Sequence, residues 1–294
     1  MHCMKFWVRF SRNIFKLAAF PLLNKIRPKS IESVLIKSIN LLNDEMVEEI
    51  RSFIKEKYTS QGGFADRAGK SDLYYSLFGY FLAEAFSVSE VFLPLKNYVN
   101  EKVTDKNLTG VNLYCDAILY AKLNGINDLS LKLGKQIAEE IKKSQSKQME
   151  YSNFMGFLAL YYLEDYFAIK RLINQFKFHD FQKEIPCPVT AATTILSELG
   201  GKHDISAEAK LKSFYRGNGG FSAINHAPFE DLLSTGVALY ALHFMNADLR
   251  LMKPECLEFI DGLYENGGFR STQTDFETDV EYTFYGLLGL GSLQ

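Results

Sequence analysis

Three stretches of this chain read as copies of one another: QGGFADRAGKSDLYYSLFGYFL (61–82), NGGFSAINHAPFEDLLSTGVALYAL (218–242) and NGGFRSTQTDFETDVEYTFYGLLGL (266–290). Each opens on Gly-Gly-Phe, runs through a short polar loop to an Asp, and carries Ser or Thr four positions later. The pairs are Asp72/Ser76, Asp231/Thr235 and Asp279/Thr283, and an apolar, aromatic-rich segment follows each. A unit repeated at this scale is a supersecondary element that must bury its apolar face against its neighbours, so the repeat limits the fold before any other feature does.

The stretch between the first two clear copies has room for several more units, and three eroded copies lie there. They are Asn112–Leu123 (NLYCDAILYAKL), Ser152–Tyr162 (SNFMGFLALYY) and Val189–Leu199 (VTAATTILSEL). Each of the six apolar segments is preceded by a charged one with apolar residues at three- and four-residue intervals, as in Met46, Ile50, Phe53 and Ile54. These outer candidates are 45–58, 89–103, 129–143, 167–178, 207–215 and 255–264. No comparable alternation of strand type is present. Inner helices that are apolar nearly all round must be covered on one side and face each other, or a greasy cavity, on the other. Six pairs closing into a ring satisfy this better than an open solenoid, whose ends need polar caps. The expectation is an all-α chain, an α6/α6 toroid over residues 32–294.

Composition agrees. With 47% hydrophobic and 23% charged residues and a net charge of −2, the chain is too apolar for disorder and too evenly charged for a nucleic-acid partner. No run of apolar residues is long enough to span a bilayer. The cysteines (Cys3, Cys115, Cys187, Cys256) form no CxxC pair, as expected of a reducing, cytoplasmic compartment. Residues 1–31 differ from the rest. They hold Lys5, Arg9, Arg12, Lys16, Lys25, Arg27 and Lys29, no acid, and Phe6, Trp7, Phe10, Phe15 and Phe20 near helical spacing. Charges interrupt the apolar run until Leu17, which no secretory signal allows. The segment reads either as a helix packed on the domain or as a basic amphipathic helix lying on a membrane's inner face.

The Gly-Gly-Phe turn, Asp-containing loop and Thr-bearing apolar helix resemble the repeat of protein prenyltransferase β subunits and squalene/terpene cyclases. The resemblance covers about residues 45–294 and implies the α/α barrel. Parallel inner helices would gather the residues at their starts around one mouth: Asp72, Tyr74, Tyr75, Asn112, Tyr114, Cys115, Asp231, Asp279, Glu281 and Tyr282. Acids and tyrosines above an aromatic wall suit a hydrophobic isoprenoid or other lipid, because aromatic faces stabilise carbocations.

Three chemistries attach to this resemblance. Prenyltransferases hold zinc with Asp-x-Cys at one inner helix and His at the last. Here Leu233 stands at the Cys position and Tyr282 at the His position, so one ligand of three, Asp231, remains and no zinc site is expected. His179, His203, His226 and His243 have no ligand spacing with a cysteine either. A diphosphate would call for basic residues at the mouth, and Arg67 and Lys70 before Asp72 are the candidates, with magnesium expected only for such a substrate. Proton-initiated cyclases carry Asp-x-Asp-Asp before the inner-helix Thr, and Asp279-x-Glu281-Tyr282-Thr283 keeps two of its acids. Two carboxyls close together in an apolar cavity cannot both ionise cheaply, so one holds a proton. On this reading Glu281 is the donor, Asp279 its partner, and Tyr74, Tyr114 and Tyr282 the cation-stabilising wall. Against it stands a structural role, since an Asp before a helix caps the first-turn amides. The alternatives are a prenyltransferase β-like subunit with a helical partner and a non-catalytic toroid that binds lipid or protein.

Overall fold

The computed structural model describes residues 24, 26–143, 150–176, 185–201 and 204–294. Most of the basic segment 1–31, together with His179 and His203, lies outside them. Among the described residues thirteen α-helices follow in order: α1 (Ile31–Ser38), α2 (Asp44–Glu56), α3 (Leu73–Ala85), α4 (Phe92–Lys102), α5 (Gly110–Asn124), α6 (Asp128–Lys143), α7 (Tyr151–Tyr162), α8 (Tyr166–Ile173), α9 (Cys187–Leu199), α10 (Ile205–Lys212), α11 (Leu232–Phe244), α12 (Lys253–Asp261) and α13 (Val280–Ser292). From α2 onward they alternate outer and inner, and the inner helices α3, α5, α7, α9, α11 and α13 pack each against the next. The last, α13, packs against the first, α3, so the six hairpins close into an all-α toroid.

The repeat signature is the hinge of each hairpin. Five very short strands form at the turns: β1 (Phe64–Ala65), β2 (Ser71–Asp72), β3 (Tyr264–Glu265), β4 (Gly268–Arg270) and β5 (Thr278–Asp279). In each clear copy the Phe of Gly-Gly-Phe pairs with the repeat Asp, as Phe64 with Asp72, Phe221 with Asp231 and Phe269 with Asp279. The Phe backbone N–H donates to the hydroxyl four residues past that Asp, at 2.9 Å to Ser76, 2.9 Å to Thr235 and 3.1 Å to Thr283. The two threonine hydroxyls donate in turn to the Asp carbonyl, 2.7 Å in both copies. A buried N–H has no other route to satisfaction there, which is why Ser or Thr recurs at that spacing. Valine at Thr235 keeps the shape and strands the Phe221 N–H. The expected cost is about 1–3 kcal/mol, read as a lowered urea midpoint.

The first glycine of each pair has positive φ (Gly62 96°, Gly219 91°, Gly267 85°) and rests on the outer helix of the next unit. Gly62 meets Pro94 of α4, Gly219 meets Glu255 of α12, and Gly267 meets Glu49 of α2, so the last turn seats on the first outer helix.

One element carries no repeat signature. Residues 26–38, a 3-10 turn at Arg27–Lys29 followed by α1, cross the end of the barrel where the inner helices finish. Lys29 Nζ donates to the Phe244 carbonyl at 2.6 Å, and the Tyr240 hydroxyl donates to the Lys29 carbonyl at 2.8 Å. Lys122, in the last turn of α5, ion-pairs with Glu32 at 3.0 Å and Glu84 at 2.9 Å. This strap closes one end of the toroid, opposite the Asp-bearing mouth. No described helix is long and apolar enough to cross a membrane.

Candidate functional site

The repeat aspartates cap their helices. Asp72 Oδ1 accepts from the backbone N–H groups of Tyr74 (2.8 Å) and Tyr75 (3.0 Å), Asp231 from Ser234 N (2.7 Å), and Asp279 from Tyr282 N (2.9 Å). These bonds satisfy first-turn donors that have no partner within the helix. Asp279 does more than cap. Its other oxygen accepts from Arg67 Nε at 2.8 Å, while Arg67 Nη2 bonds Asp275 at 2.8 Å and the guanidinium lies 5.3 Å from the Tyr282 ring centroid. Arg67 therefore joins the first hairpin's turn to the last hairpin across the mouth. Both used edges of its fork face carboxylates, so it is not placed to clamp a diphosphate. Lys70 sits exposed in the same turn.

Glu281, on the first turn of α13 and 8% exposed, points inward. The Tyr74 hydroxyl donates to its Oε1 at 2.6 Å and lies 3.1 Å from the Tyr151 hydroxyl, which also hydrogen-bonds Tyr285. Burial is the main force on Glu281, and with the neighbouring Asp279 it outweighs the Tyr74 bond, pushing the carboxyl up to about 7. Burial likewise raises the Tyr74 phenol. Tyr75 and Tyr282 complete the mouth, both within electrostatic reach of Asp279, Glu281 and Arg67.

Below the mouth runs an apolar lumen in two lobes. The first has about 650 Å³ between its walls, part of it open to solvent, and is lined by Phe78, Phe81, Tyr151, Phe154, Phe284 and Tyr285 among others. The second, about 610 Å³, reaches Ile26, Tyr161, Leu199 and Phe244 at the strap. They share Ile31, Phe154, Leu158, Ile195 and Tyr240 and so adjoin one another. The aromatic wall is built from contacting rings, Phe78 with Tyr74 (4.8 Å), with Phe284 (4.9 Å) and with Tyr285 (5.5 Å).

The structure thus brings together Asp72, Tyr74, Tyr75, Asp279, Glu281, Tyr282 and Arg67, with Asp231 at the neighbouring helix start. Tyr114 is not among them. It faces the outer layer, its hydroxyl bonded to Glu140 of α6 and its ring near Gly156. Asn112, two residues before it, does not line the lumen either. Glu281 and Tyr74 stop short of the lumen wall, and Tyr151 and Tyr285 reach it for them. Spacing held a partial signal for these two: Tyr285 lies one helical turn past Glu281, and Tyr151 directly precedes the second eroded copy.

The positions that would hold zinc do not fit it. Leu233 offers no donor and lines the lumen, Tyr282 lies under Arg67, and both oxygens of Asp231 are engaged by Ser234. Among the described residues no three His, Cys, Asp or Glu side chains gather as metal ligands.

No curated protein matches the chain. A family model for the prenyltransferase alpha-alpha toroid domain matches residues 2–100 and 187–293. The unmatched middle holds two of the three eroded copies, where the Gly-Gly-Phe and Asp signals are absent. The match covers more than half of the chain and agrees with the closed ring of helical hairpins, and the chain belongs to the prenyltransferase α/α-toroid domain family.

Proposed function

We propose that this toroid takes an isoprenoid chain into its lumen and starts its cyclisation or rearrangement by proton transfer from Glu281, without zinc. The observation that carries the reading is the hydrogen-bonded line Glu281–Tyr74–Tyr151, which joins a buried carboxyl held near pH 7 to the wall of an aromatic cavity. When Glu281 is protonated the bond runs the other way, the carboxyl donating to the Tyr74 oxygen and the Tyr74 hydroxyl turning to Tyr151. The Glu281 proton then passes to Tyr74 as Tyr74 hands its own to Tyr151, and the Tyr151 hydroxyl delivers its proton to the substrate. Glu281 is left as the carboxylate. The proton returns when the product cation loses one from carbon. An acid that titrates near 7 protonates an oxygen, such as an epoxide or an alcohol leaving group, far more readily than a plain alkene, so an oxygenated polyprene suits this site best. Phe78, Phe284 and Tyr285 face the developing cation. Residues 1–31, basic and aromatic, would hold the toroid at the bilayer that supplies such chains.

The test is mass spectrometry of extracts after the full chain is incubated with prenyl diphosphates, squalene and oxygenated polyprenes, with metal content measured in the same sample. Turnover should fall as pH rises through about 7, because the donor must be protonated. Glu281→Gln, which keeps the shape and the Tyr74 bond, should lose about 10²–10⁴-fold in rate. Unchanged turnover in that variant removes the mechanism, and a co-purifying lipid that no condition converts makes the toroid a binding protein.

A further inference from the structure

One stripe of α7 carries a phenol at each end. Tyr151 and Tyr162 are about three helical turns apart, so they share a face, separated by about 16 Å of rise. That is the length of about three extended isoprenoid units. Phe154 and Leu158 fill the stripe between them and line both lobes, while Tyr151 lines the first lobe and Tyr162 the second. Each phenol leads to a carboxyl on another element. Tyr151 reaches Glu281 of α13 through Tyr74, and Tyr162 hydrogen-bonds Glu32 of the strap directly.

The two carboxyls have opposite surroundings. Glu281 is buried, and Arg67, the cation that reaches it electrostatically, is bonded to Asp275 and Asp279 instead. Glu32 stands as a carboxylate in an ion pair, with Lys122 Nζ 3.0 Å from its Oε1, and its side chain is 25% exposed. Lys122 also pairs with Glu84 at 2.9 Å and lies 5.8 Å from the Tyr162 ring centroid. Two carboxyls held in contrasting environments are the pattern of an acid and a base. The ion pairs fasten the strap, and fastening needs no phenol on the cavity wall. The Tyr240 hydroxyl, also in that wall, is committed to the Lys29 carbonyl. Aromatic rings continue from one phenol towards the other. Phe81 touches Phe284 at 6.0 Å and Tyr162 at 5.7 Å, so a cation formed beside Tyr151 meets ring faces as far as Tyr162.

We infer that Tyr162 and Glu32 form the base that ends the reaction begun at Glu281. This rests on the cyclisation reading and adds the far end of the reaction to it. The positive charge, carried along the chain into the second lobe, labilises a hydrogen on the adjoining carbon. That C–H bond breaks, its electron pair becomes the new double bond, and the proton goes to the Tyr162 oxygen as Tyr162 passes its own to Glu32. A carbocation is acidic enough for a phenol oxygen to accept its proton when a carboxylate takes the phenol's own. Glu32 is exposed enough to release the proton to water. One proton enters by way of Glu281 and one leaves by way of Glu32 in each turnover, so the count is kept.

The test is the product ratio obtained from the full chain with terminal epoxides of acyclic polyprenes of three and four isoprenoid units. Mass spectrometry reads cyclised alkene against the cyclised alcohol formed when water captures the cation. Tyr162→Phe keeps the ring and the Glu32–Lys122 pair, and should lower the alkene-to-alcohol ratio by about tenfold or more. Glu32→Gln should move the ratio in the same direction. Glu281→Gln should cut total product and keep the ratio, which separates the two ends of the reaction. Glu84→Gln takes the other carboxylate from Lys122 and leaves Tyr162 its partner, so the ratio should stay within about twofold. An unchanged ratio in Tyr162→Phe, with total product still cut by Glu281→Gln, overturns the base and leaves the donor standing. A ratio moved as far by Glu84→Gln as by Tyr162→Phe also overturns it and reduces the cluster to a fastening of the strap. No product from the wild-type chain overturns this inference together with the reading it rests on.

Discussion

Alanine at Gly267 is expected to destabilise the protein by about 3 kcal/mol or more, visible as a large drop in the urea midpoint or as insoluble expression. Two costs combine. The native φ of 85° lies in the left-handed region that a Cβ disfavours, and the added atom would overlap the Glu49 carbonyl on α2. Glu49 is helix backbone, so the neighbour cannot swing aside, and the seam between last and first hairpins has to open. Gly69→Ala provides the control. Its φ is 77°, yet nothing lies within 4 Å of the new atom, so only the backbone penalty of about 1–2 kcal/mol is expected. The difference between the two variants measures what ring closure contributes.

Stability should fall as pH rises from about 4 to about 7, and Asp116 should account for much of the loss. This residue on α5 is 0% exposed and neither carboxyl oxygen has a hydrogen-bond partner among the described residues. Burial pushes it up to about 7, with Lys102 pulling weakly the other way. The folded state therefore holds a proton that the unfolded chain releases near pH 4. Stability is fully present below that pH, is lost through the interval, and is gone once the group ionises in place. A shift of this size corresponds to about 4 kcal/mol. Glu281 adds in the same direction over the same interval. Asp116→Asn should flatten this dependence, leaving stability at pH 8 much closer to that at pH 5 in urea melts. A slope unchanged by the substitution would place the titration elsewhere.

Much of the architecture could be read because each repeat writes its turn in four residue types, each with a separate task. Glycine allows the positive φ and close seating, Phe pairs with Asp, Asp caps the helix, and Ser or Thr answers the Phe amide. Where Asp and Gly-Gly-Phe vanish, as before α7, only the apolar run remained, and it still located the helix to within a residue or two. The meeting of Tyr74 with Glu281 was legible only through the ring, since the two lie at opposite ends of the repeat array and touch because α13 returns to α3. The fate of Tyr114 was not legible. An inner helix apolar on every side gives no phase that distinguishes the lumen face from the face turned to the outer layer. Arg67 misled for another reason. A basic residue in a turn points to an anion, and the carboxylates that claim it come from the far end of the chain. The strap had no repeat to announce it, and only the structure joins its Ile26, Ser30 and Ile31 to the second lobe.

The return of α13 to α3 also fixes a circumference. An open solenoid can gain or shed a unit and merely change length, whereas six hairpins closed on themselves set one bore. Any change in what this lumen admits must therefore come from the side chains lining it, as in the contrast between bulky Phe154 and Leu158 on α7 and the small Ala191 and Ala192 facing the same space from α9. The narrow and the wide flank of the passage are written in those four residues, and ligand choice in this toroid can drift there without disturbing a single turn.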